Sequence, residues 1–182
     1  MTEEFSIINL EPKLVIGMRK KGPYRTIGIM IPQLCQYAAQ NSIQMIGPPM
    51  YLCREHSAEE AVQADKEGTA DVEVAVPIQK RGKETDEIKC YELPAAKIVK
   101  TIHKGPYQEE TATYEKLFAW LEKNNLSIAG PMREIYLNDP HEVSEEDLLV
   151  EIQVPIALLA LVVLLFLVSF LFFGFLKLQS TF

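Results

Sequence analysis

The chain repeats its own turn signals, and this internal duplication restricts its fold more than any other feature. Three short motifs recur in the same order, first copy against second: Lys-Gly-Pro-Tyr at 21–24 and 104–107, Gly-Pro at 47–48 and 130–131, and Val-Pro-Ile at 76–78 and 154–156. The first two pairs are offset by 83 residues and the third by 78, because the acidic loops before it differ in length. Gly-Pro is common in turns, but helical and strand patterns also fall at matching places between these points. The sequence therefore predicts two homologous halves, at about 5–78 and 88–156.

Each half shows the same order of predicted elements, namely strand, helix, strand, strand. Apolar residues at helical spacing mark one helix from residue 24 to about 41 and a second around Leu117 and Leu121. Pro32 lies inside the first helical pattern and should kink the helix or shift its start. Two such halves predict an α+β fold, with one antiparallel sheet and two helices packed on one face. The opposite face, which no helix covers, is then expected to form a ligand groove near a pseudo-two-fold axis.

The strand after the second Gly-Pro, at 132–137, is the most informative stretch for function. Because successive side chains of a strand alternate, two sets should face opposite ways: Ile135 and Leu137 towards a helix, and Met132, Glu134 and Tyr136 towards the groove. At an offset of 83, Glu134 corresponds to Tyr51, so we expect these two side chains to face the same groove from opposite halves. A solvated charge on the sheet surface is the alternative interpretation of Glu134.

Composition excludes several classes of function. The chain carries 18 basic and 25 acidic residues, for a net charge of −7, which disfavours a nucleic-acid-binding surface. The three cysteines, Cys35, Cys53 and Cys90, are odd in number and form no CxxC pair, so we expect no disulfide framework, no zinc site and a reducing compartment. The three histidines, His56, His103 and His141, have no metal-binding spacing and are predicted at the surface or in loops. We therefore predict no metal and no cofactor, including haem.

The C-terminal residues have a different character from the rest of the chain. Residues 156–176 form a run of 21 residues without charge, interrupted only by Ser169 and Gly174. As a helix this run would be ~30 Å long, which matches the hydrocarbon core of a bilayer. We predict a binding domain at 1–156 and a hydrophobic tail at 157–182 that is a candidate transmembrane anchor. The first six residues are polar and acidic, so no signal peptide is expected, and the domain is placed on the cytoplasmic side.

The duplicated pattern resembles the GyrI-like family, also called the AraC-type effector-binding domain. The residues that carry the resemblance are the two Gly-Pro-Tyr turns, Arg-Glu-Ile-Tyr-Leu-Asn-Asp-Pro at 133–140, and Leu-Leu-Val-Glu-Ile-Gln-Val-Pro-Ile at 148–156. It covers about residues 5–156. The resemblance implies binding of small molecules, often hydrophobic cations, in the groove between the halves, with Glu134 as the groove glutamate. No helix-turn-helix pattern is present, so direct nucleic-acid binding is not expected.

Three functions remain open at this point. The first is a small-molecule-binding protein whose candidate ligand-binding residues are Glu134, Tyr51, Tyr136, Met132, Tyr91 and Trp120. The second is a hydrolase of strained, cyclopropane-type electrophiles, in which Glu134 and Tyr136 would be catalytic. The third is a membrane-tethered adaptor or a gyrase-inhibitor-like module that binds an unidentified protein. For Trp120, and for Tyr24 and Tyr107 after the turns, packing against a helix is the competing interpretation.

Overall fold

The duplication is visible in the fold as two strand–helix–strand–strand units that share one antiparallel sheet. The computed structural model describes residues 4–55 and 58–158. Within these ranges the chain forms nine strands and three α-helices. In chain order they are β1 Ser6–Leu10, β2 Lys13–Lys21, α1 Ile27–Gln40, β3 Met50–Cys53, α2 Ala58–Glu67, β4 Asp71–Pro77, β5 Ile88–Leu93, β6 Ala96–Lys104, α3 Glu110–Lys123, β7 Leu126–Ile128, β8 Met132–Tyr136 and β9 Leu149–Leu158.

The strand order shows that the two halves exchange their outer strands. Along the sheet the order is β1-β6-β9-β8-β3-β4-β2-β5, and the short β7 pairs with the end of β9. Strand β1 of the first half therefore pairs with β6 of the second, while β5 of the second half pairs with β2 of the first. The two halves therefore pair with each other near both edges of the sheet, through β1–β6 and β2–β5, as well as at its centre, through β3–β8.

The centre of the sheet is the antiparallel pair β3 and β8. Tyr51 pairs directly with Glu134 in this ladder, and Cys53 pairs with Met132. Tyr51 and Glu134 are equivalent positions of the two halves, so the pseudo-two-fold axis passes between them. The predicted correspondence of these residues is confirmed by the register.

Both long helices begin and end at equivalent signals. Each follows Gly-Pro-Tyr through one 3₁₀ turn, and each ends at an asparagine, Asn41 or Asn124, whose side-chain amide donates to a carbonyl four residues earlier. Pro32 lies inside α1, yet the helix is continuous from residue 27 to 40. Pro32 has no N–H to donate, so the helix lacks one backbone hydrogen bond there but continues through it.

The helices pack on one face of the sheet, and this face holds two apolar cores. Leu34 of α1 and Leu117 of α3, which are equivalent at the 83-residue offset, are both fully buried. Leu34 packs over β2, β3, β4 and β5, whereas Leu117 packs over β6 and β9. Burying each leucine contributes roughly 2 kcal/mol to folding.

The opposite face of the sheet is also buried near its centre. A third apolar cluster there contains Val15, Met50, Leu52, Ala75, Leu93 and Ile135. Tyr91 lies across this face over Gly17, where a Cβ atom would come within 2.5 Å of the Tyr91 hydroxyl oxygen. The same hydroxyl donates to Glu73 at 2.5 Å, and Glu73 also pairs with Arg54. The face that no long helix covers is therefore filled by side chains rather than open.

The last described strand extends into the predicted tail. Strand β9 continues to Leu158, and its residues 156–158 pair with β7. The sheet thus includes the first three residues of the run predicted to span a membrane, and two residues beyond the predicted domain boundary. The rest of that run, from residue 159, lies outside the described residues. Among helices of residues 4–55 and 58–158, none has the length and apolar character that a bilayer crossing requires.

Candidate functional site between the two helices

Glu134 lies on the face of the sheet that carries the helices, contrary to the face predicted from the sequence. The Tyr114 hydroxyl of α3 donates to Glu134 Oε1 at 2.7 Å. Ile135, which was predicted to meet a helix, instead belongs to the apolar cluster on the other face. The prediction was wrong because both faces of the central strands are buried, so apolar alternation along β8 does not identify the helix side. The candidate site is the central strip of the sheet between α1 and α3, formed by β3 and β8, where Glu134 and Tyr136 are half-exposed. We call this region the cleft.

The carboxylate of Glu134 is held by two phenols. Besides Tyr114, the Tyr136 hydroxyl donates to Glu134 Oε2 at 3.1 Å. Burial raises the pKa of Glu134, and the two phenol hydrogen bonds offset part of that increase. Burial and the neighbouring carboxylate also raise the pKa values of Tyr114 and Tyr136, so both remain hydrogen-bond donors at neutral pH.

A second carboxyl group, that of Glu110, lies beside the first. Glu110 is the first residue of α3, and burial together with the negative charge of Glu134 raises its pKa to about 8. Its Oε1 atom is buried and accepts no hydrogen bond. Within residues 4–55 and 58–158, neither Glu110 nor Glu134 forms an ion pair with a lysine or arginine. The cleft therefore concentrates acidic groups that have no lysine or arginine partner within the described ranges.

Tyrosine rings line both ends of the cleft. In the second half, Tyr107 and Tyr136 meet edge to face with ring centroids 5.8 Å apart. In the first half, Tyr24 and Tyr51 form a similar pair at 5.9 Å. The faces of such rings attract cations, so each end of the cleft presents an aromatic surface suited to positive charge.

The two halves supply different chemistry at equivalent positions. At the 83-residue offset, the second-half residues Glu110, Tyr114, Glu134 and Tyr136 correspond to Ile27, Ile31, Tyr51 and Cys53 of the first half. Ile27, Ile31 and Cys53 pack against the first apolar core. One wall of the cleft is thus acidic and phenolic, while the other is mainly apolar and aromatic.

The first-half end also contains a carboxylate, that of Glu55. It is 8% exposed, and its Oε1 accepts the backbone N–H of Asp71 at 2.9 Å. Burial opposes its ionisation, but the hydrogen bonds it accepts, first of all from the Asp71 backbone N–H, outweigh burial, so the pKa of Glu55 lies below its ordinary value. Glu55 is therefore ionised at neutral pH.

His103 is buried beneath α3, although the sequence predicted an exposed histidine. It is 5% exposed, with Nδ1 2.9 Å from Thr113 Oγ1 and Nε2 3.1 Å from the Pro106 carbonyl. A carbonyl can only accept, so Nε2–H donates to the Pro106 carbonyl, while Nδ1 forms a hydrogen bond with the Thr113 hydroxyl. Both nitrogens are engaged, and the imidazole braces the start of α3 beside Glu110.

The structure brings together only part of the predicted site. Tyr51, Glu134, Tyr136 and Met132 share the helix-bearing face, with Met132 packed against the second core. Tyr91 lies on the opposite face, bound to Glu73. The Trp120 ring contacts Phe5 with centroids 5.7 Å apart and packs against the second core.

Sequence reasoning missed Glu110 and Tyr114 as site residues. Both lie on the stripe of α3 that faces the sheet, since Glu110, Tyr114, Leu117 and Leu121 follow helical spacing. A glutamate at the start of an otherwise apolar stripe was the signal that could have identified this second carboxyl.

A larger depression lies on the other flank of α3. Its volume is about 1090 Å³, it lies beside β1 and β6, and its lining includes the polar side chains of Ser6, Thr101, His103 and Thr113. The carboxylates Glu110 and Glu134 do not line it. We assign the candidate site by its unpaired acids rather than by cavity size.

A duplicated strand–helix–strand–strand sheet, with an acidic and aromatic cleft between its two helices, defines a class of small-molecule-binding domain. The model of the GyrI-like small molecule binding domain matches residues 3–157. The chain belongs to this family.

Solved structures with a similar fold include the C-terminal domain of EcmrR, a hydrolase and a ligand complex. The crystal structure of the EcmrR C-terminal domain has a TM-score of 0.77 at 22% identity, covering 87% of this chain and 99% of that one. A hydrolase from Listeria innocua has a TM-score of 0.57 at 14% identity, covering 85% and 92%. SAV2435 bound to tetraphenylphosphonium has a TM-score of 0.53 at 12% identity, covering 85% and 94%. At these identities the likeness concerns the fold alone. Comparison with curated proteins yields no match.

Proposed function

We propose that the protein binds small hydrophobic cations in the cleft between α1 and α3. The observation that carries the proposal is the pair of partly buried carboxyl groups, Glu134 and Glu110, without a lysine or arginine partner in the described part of the chain. A bound cation would offset the cost of burying the Glu134 carboxylate. The tyrosine faces would add roughly 1–2 kcal/mol for each close cation–π contact.

The two walls of the cleft offer different surfaces to the charged and the apolar parts of such a ligand. Its second-half wall offers Glu134, Glu110 and three tyrosine rings, while Ile27 and Ile31 of the first half offer apolar surface. A ligand with a delocalised positive charge and a large apolar body satisfies both walls. Tetraphenylphosphonium, which is bound in the structure of SAV2435, is a suitable probe.

The test is equilibrium dialysis of tetraphenylphosphonium against the full-length protein in a mild nonionic detergent, with detergent alone as the blank. Glu134→Gln keeps the size of the side chain and removes its charge, so we expect affinity to fall roughly tenfold or more. Glu122→Gln, at an exposed position of α3, is the matched control and should bind like the wild type. Equal affinity of wild type and Glu134→Gln would refute the proposal.

Hydrolysis of a strained electrophile is a second candidate, favoured by the raised pKa of Glu110. Glu110, whose pKa is raised to about 8, would serve as the acid, and Glu134 in the same cleft would serve as the base. Glu134 would take a proton from the attacking water as the new C–O bond forms. Glu110 would protonate the carbon released when the ring bond breaks. The test is mass spectrometry of a cyclopropane-bearing electrophile, which should gain the mass of one water with the wild type and not with Glu134→Gln.

We further propose that the hydrophobic tail anchors this domain to the cytoplasmic side of a membrane. The support is the uncharged run that continues from β9 to residue 176. The cleft would then lie close to the bilayer, where hydrophobic cations accumulate. Full-length protein that stays soluble after high-speed centrifugation without detergent would contradict the anchor.

A further inference from the structure

The first-half end of the cleft contains an ionised carboxylate that the proposed function does not use. Glu55 follows β3 and is more than nine-tenths buried, with its charge supported by the Asp71 backbone N–H. Within residues 4–55 and 58–158 it has no lysine or arginine ion-pair partner, because the neighbouring Arg54 pairs with Glu73. A buried charge without a counter-ion is costly.

Two buried hydroxyl groups beside Glu55 also lack partners. Tyr51 is only 4% exposed, and neither its hydroxyl nor that of Tyr24 makes a hydrogen bond. The groups that act on the Tyr51 hydroxyl are Cys53, Tyr24 and Glu55. The Tyr51 hydroxyl therefore lies at the Glu55 end of the cleft. Buried polar groups are normally hydrogen-bonded, so two unpaired hydroxyls beside one carboxylate indicate a place for a ligand.

The two ends of the cleft carry similar groups of side chains, although their acidic residues are not equivalent in the duplication. Each end has an edge-to-face tyrosine pair beside a carboxyl group: Tyr107 and Tyr136 with the half-buried Glu134, and Tyr24 and Tyr51 with the buried Glu55. The tyrosines Tyr24 and Tyr107 are equivalent in the duplication, but the carboxylates are not. Packing of homologous halves alone would not place an acid at both ends.

We infer that Glu55, Tyr24 and Tyr51 form a second cation-binding subsite, and that the cleft takes ligands with two positive centres, such as bis-quaternary ammonium compounds. This inference rests on the proposed function, which provides the first subsite at Glu134.

The distance between the subsites limits the ligand. Glu134 is directly opposite Tyr51 in the ladder, and Glu55 comes four residues after Tyr51. Extended chain covers this interval in roughly 13 Å. The two positive centres should therefore be on the order of 10 Å apart.

The experiment compares bis(trimethylammonium) alkanes with alkyltrimethylammonium ions of the same length, by equilibrium dialysis against the full-length protein in nonionic detergent. Spacers of about four to ten methylene groups bracket the expected span, and a bivalent ligand gains affinity only when its spacer matches the site. We expect the wild type to bind the best-matched bis-cation roughly tenfold more tightly than the mono-cation.

Two variants test whether Glu55 causes the preference for the bis-cation. Glu55→Gln retains an oxygen for the Asp71 N–H, so it should fold normally, keep mono-cation affinity and reduce the bis-cation preference to about twofold or less. Glu59→Gln, at an exposed position of α2, should behave like the wild type.

Two results would overturn the inference: affinity that does not depend on spacer length, or an equal loss of mono- and bis-cation affinity in Glu55→Gln. Mono-cation binding that depends on Glu134 but shows no bis-cation preference refutes only the second subsite. Absence of any cation binding refutes the proposed function instead.

Discussion

Replacing Glu110 by glutamine removes one of the two carboxyl groups in the cleft and leaves the shape of the site unchanged. In the folded protein, burial and the Glu134 charge raise the pKa of Glu110 to about 8 from an ordinary value of 4.5. Between these two pH values the folded state keeps the Glu110 proton and the unfolded state loses it. The stability of the wild type therefore falls as pH rises through this window. Glutamine has no proton to lose, so the variant should not share this decline.

The size of the effect follows from the two pKa values. Each tenfold change in proton affinity corresponds to about 1.36 kcal/mol, so the full difference amounts to at most about 4.8 kcal/mol above pH 8. Glu110 is partly exposed to solvent, and its loss of a proton is linked to that of Glu134. Both factors make the real stability difference smaller than this maximum. We therefore expect Glu110→Gln to be about 2–4 kcal/mol more stable than the wild type at pH 8.5, and nearly equal to it at pH 5.

Urea unfolding of the full-length protein in nonionic detergent measures this difference. The single tryptophan, Trp120, packs on Phe5 and reports the unfolding of this half by fluorescence. Glu122→Gln serves as the control for loss of an exposed α3 carboxylate. A stability difference between Glu110→Gln and the wild type that stays constant from pH 5 to pH 8.5 would refute the assignment of a buried, protonated Glu110.

Three further substitutions test other contacts. Tyr114→Phe removes the donor to Glu134 Oε1, so the pKa of Glu134 should rise further. The affinity for tetraphenylphosphonium at pH 7 should then fall roughly 5- to 20-fold. Unchanged affinity would show that this hydrogen bond does not matter for binding. Gly17→Ala places a Cβ 2.5 Å from the Tyr91 hydroxyl and 2.9 Å from the Val74 carbonyl, and should cost about 2 kcal/mol or more in urea unfolding. Gly28→Ala, where the space is open, should instead stabilise α1 by roughly 0.5–1 kcal/mol, and a loss of stability there would contradict the helix placement.

The order of elements could be predicted from the sequence because its signals are local. Gly-Pro-Tyr begins each long helical region, an asparagine ends it, and Val72, Val74 and Val76 alternate as one strand face. The offset between the copies also identified Tyr51 and Glu134 as equivalent positions, and their pairing at the axis follows from that symmetry. The exchange of β1 and β5 between the halves was not predicted, since no local pattern specifies which of several strand edges an outer strand will join.

The sequence by itself determined that this protein is a duplicated α+β domain with a carboxylate at the axis, because turn chemistry and hydrophobic periodicity act over a few residues. Only the tertiary structure decided which face of the sheet receives that carboxylate, because apolar side chains cover both faces of the central strands. It also brought Glu110 and Glu55 to the cleft of Glu134. Those acids are distant in sequence, and their lack of basic partners depends on what every neighbouring strand and helix places around them.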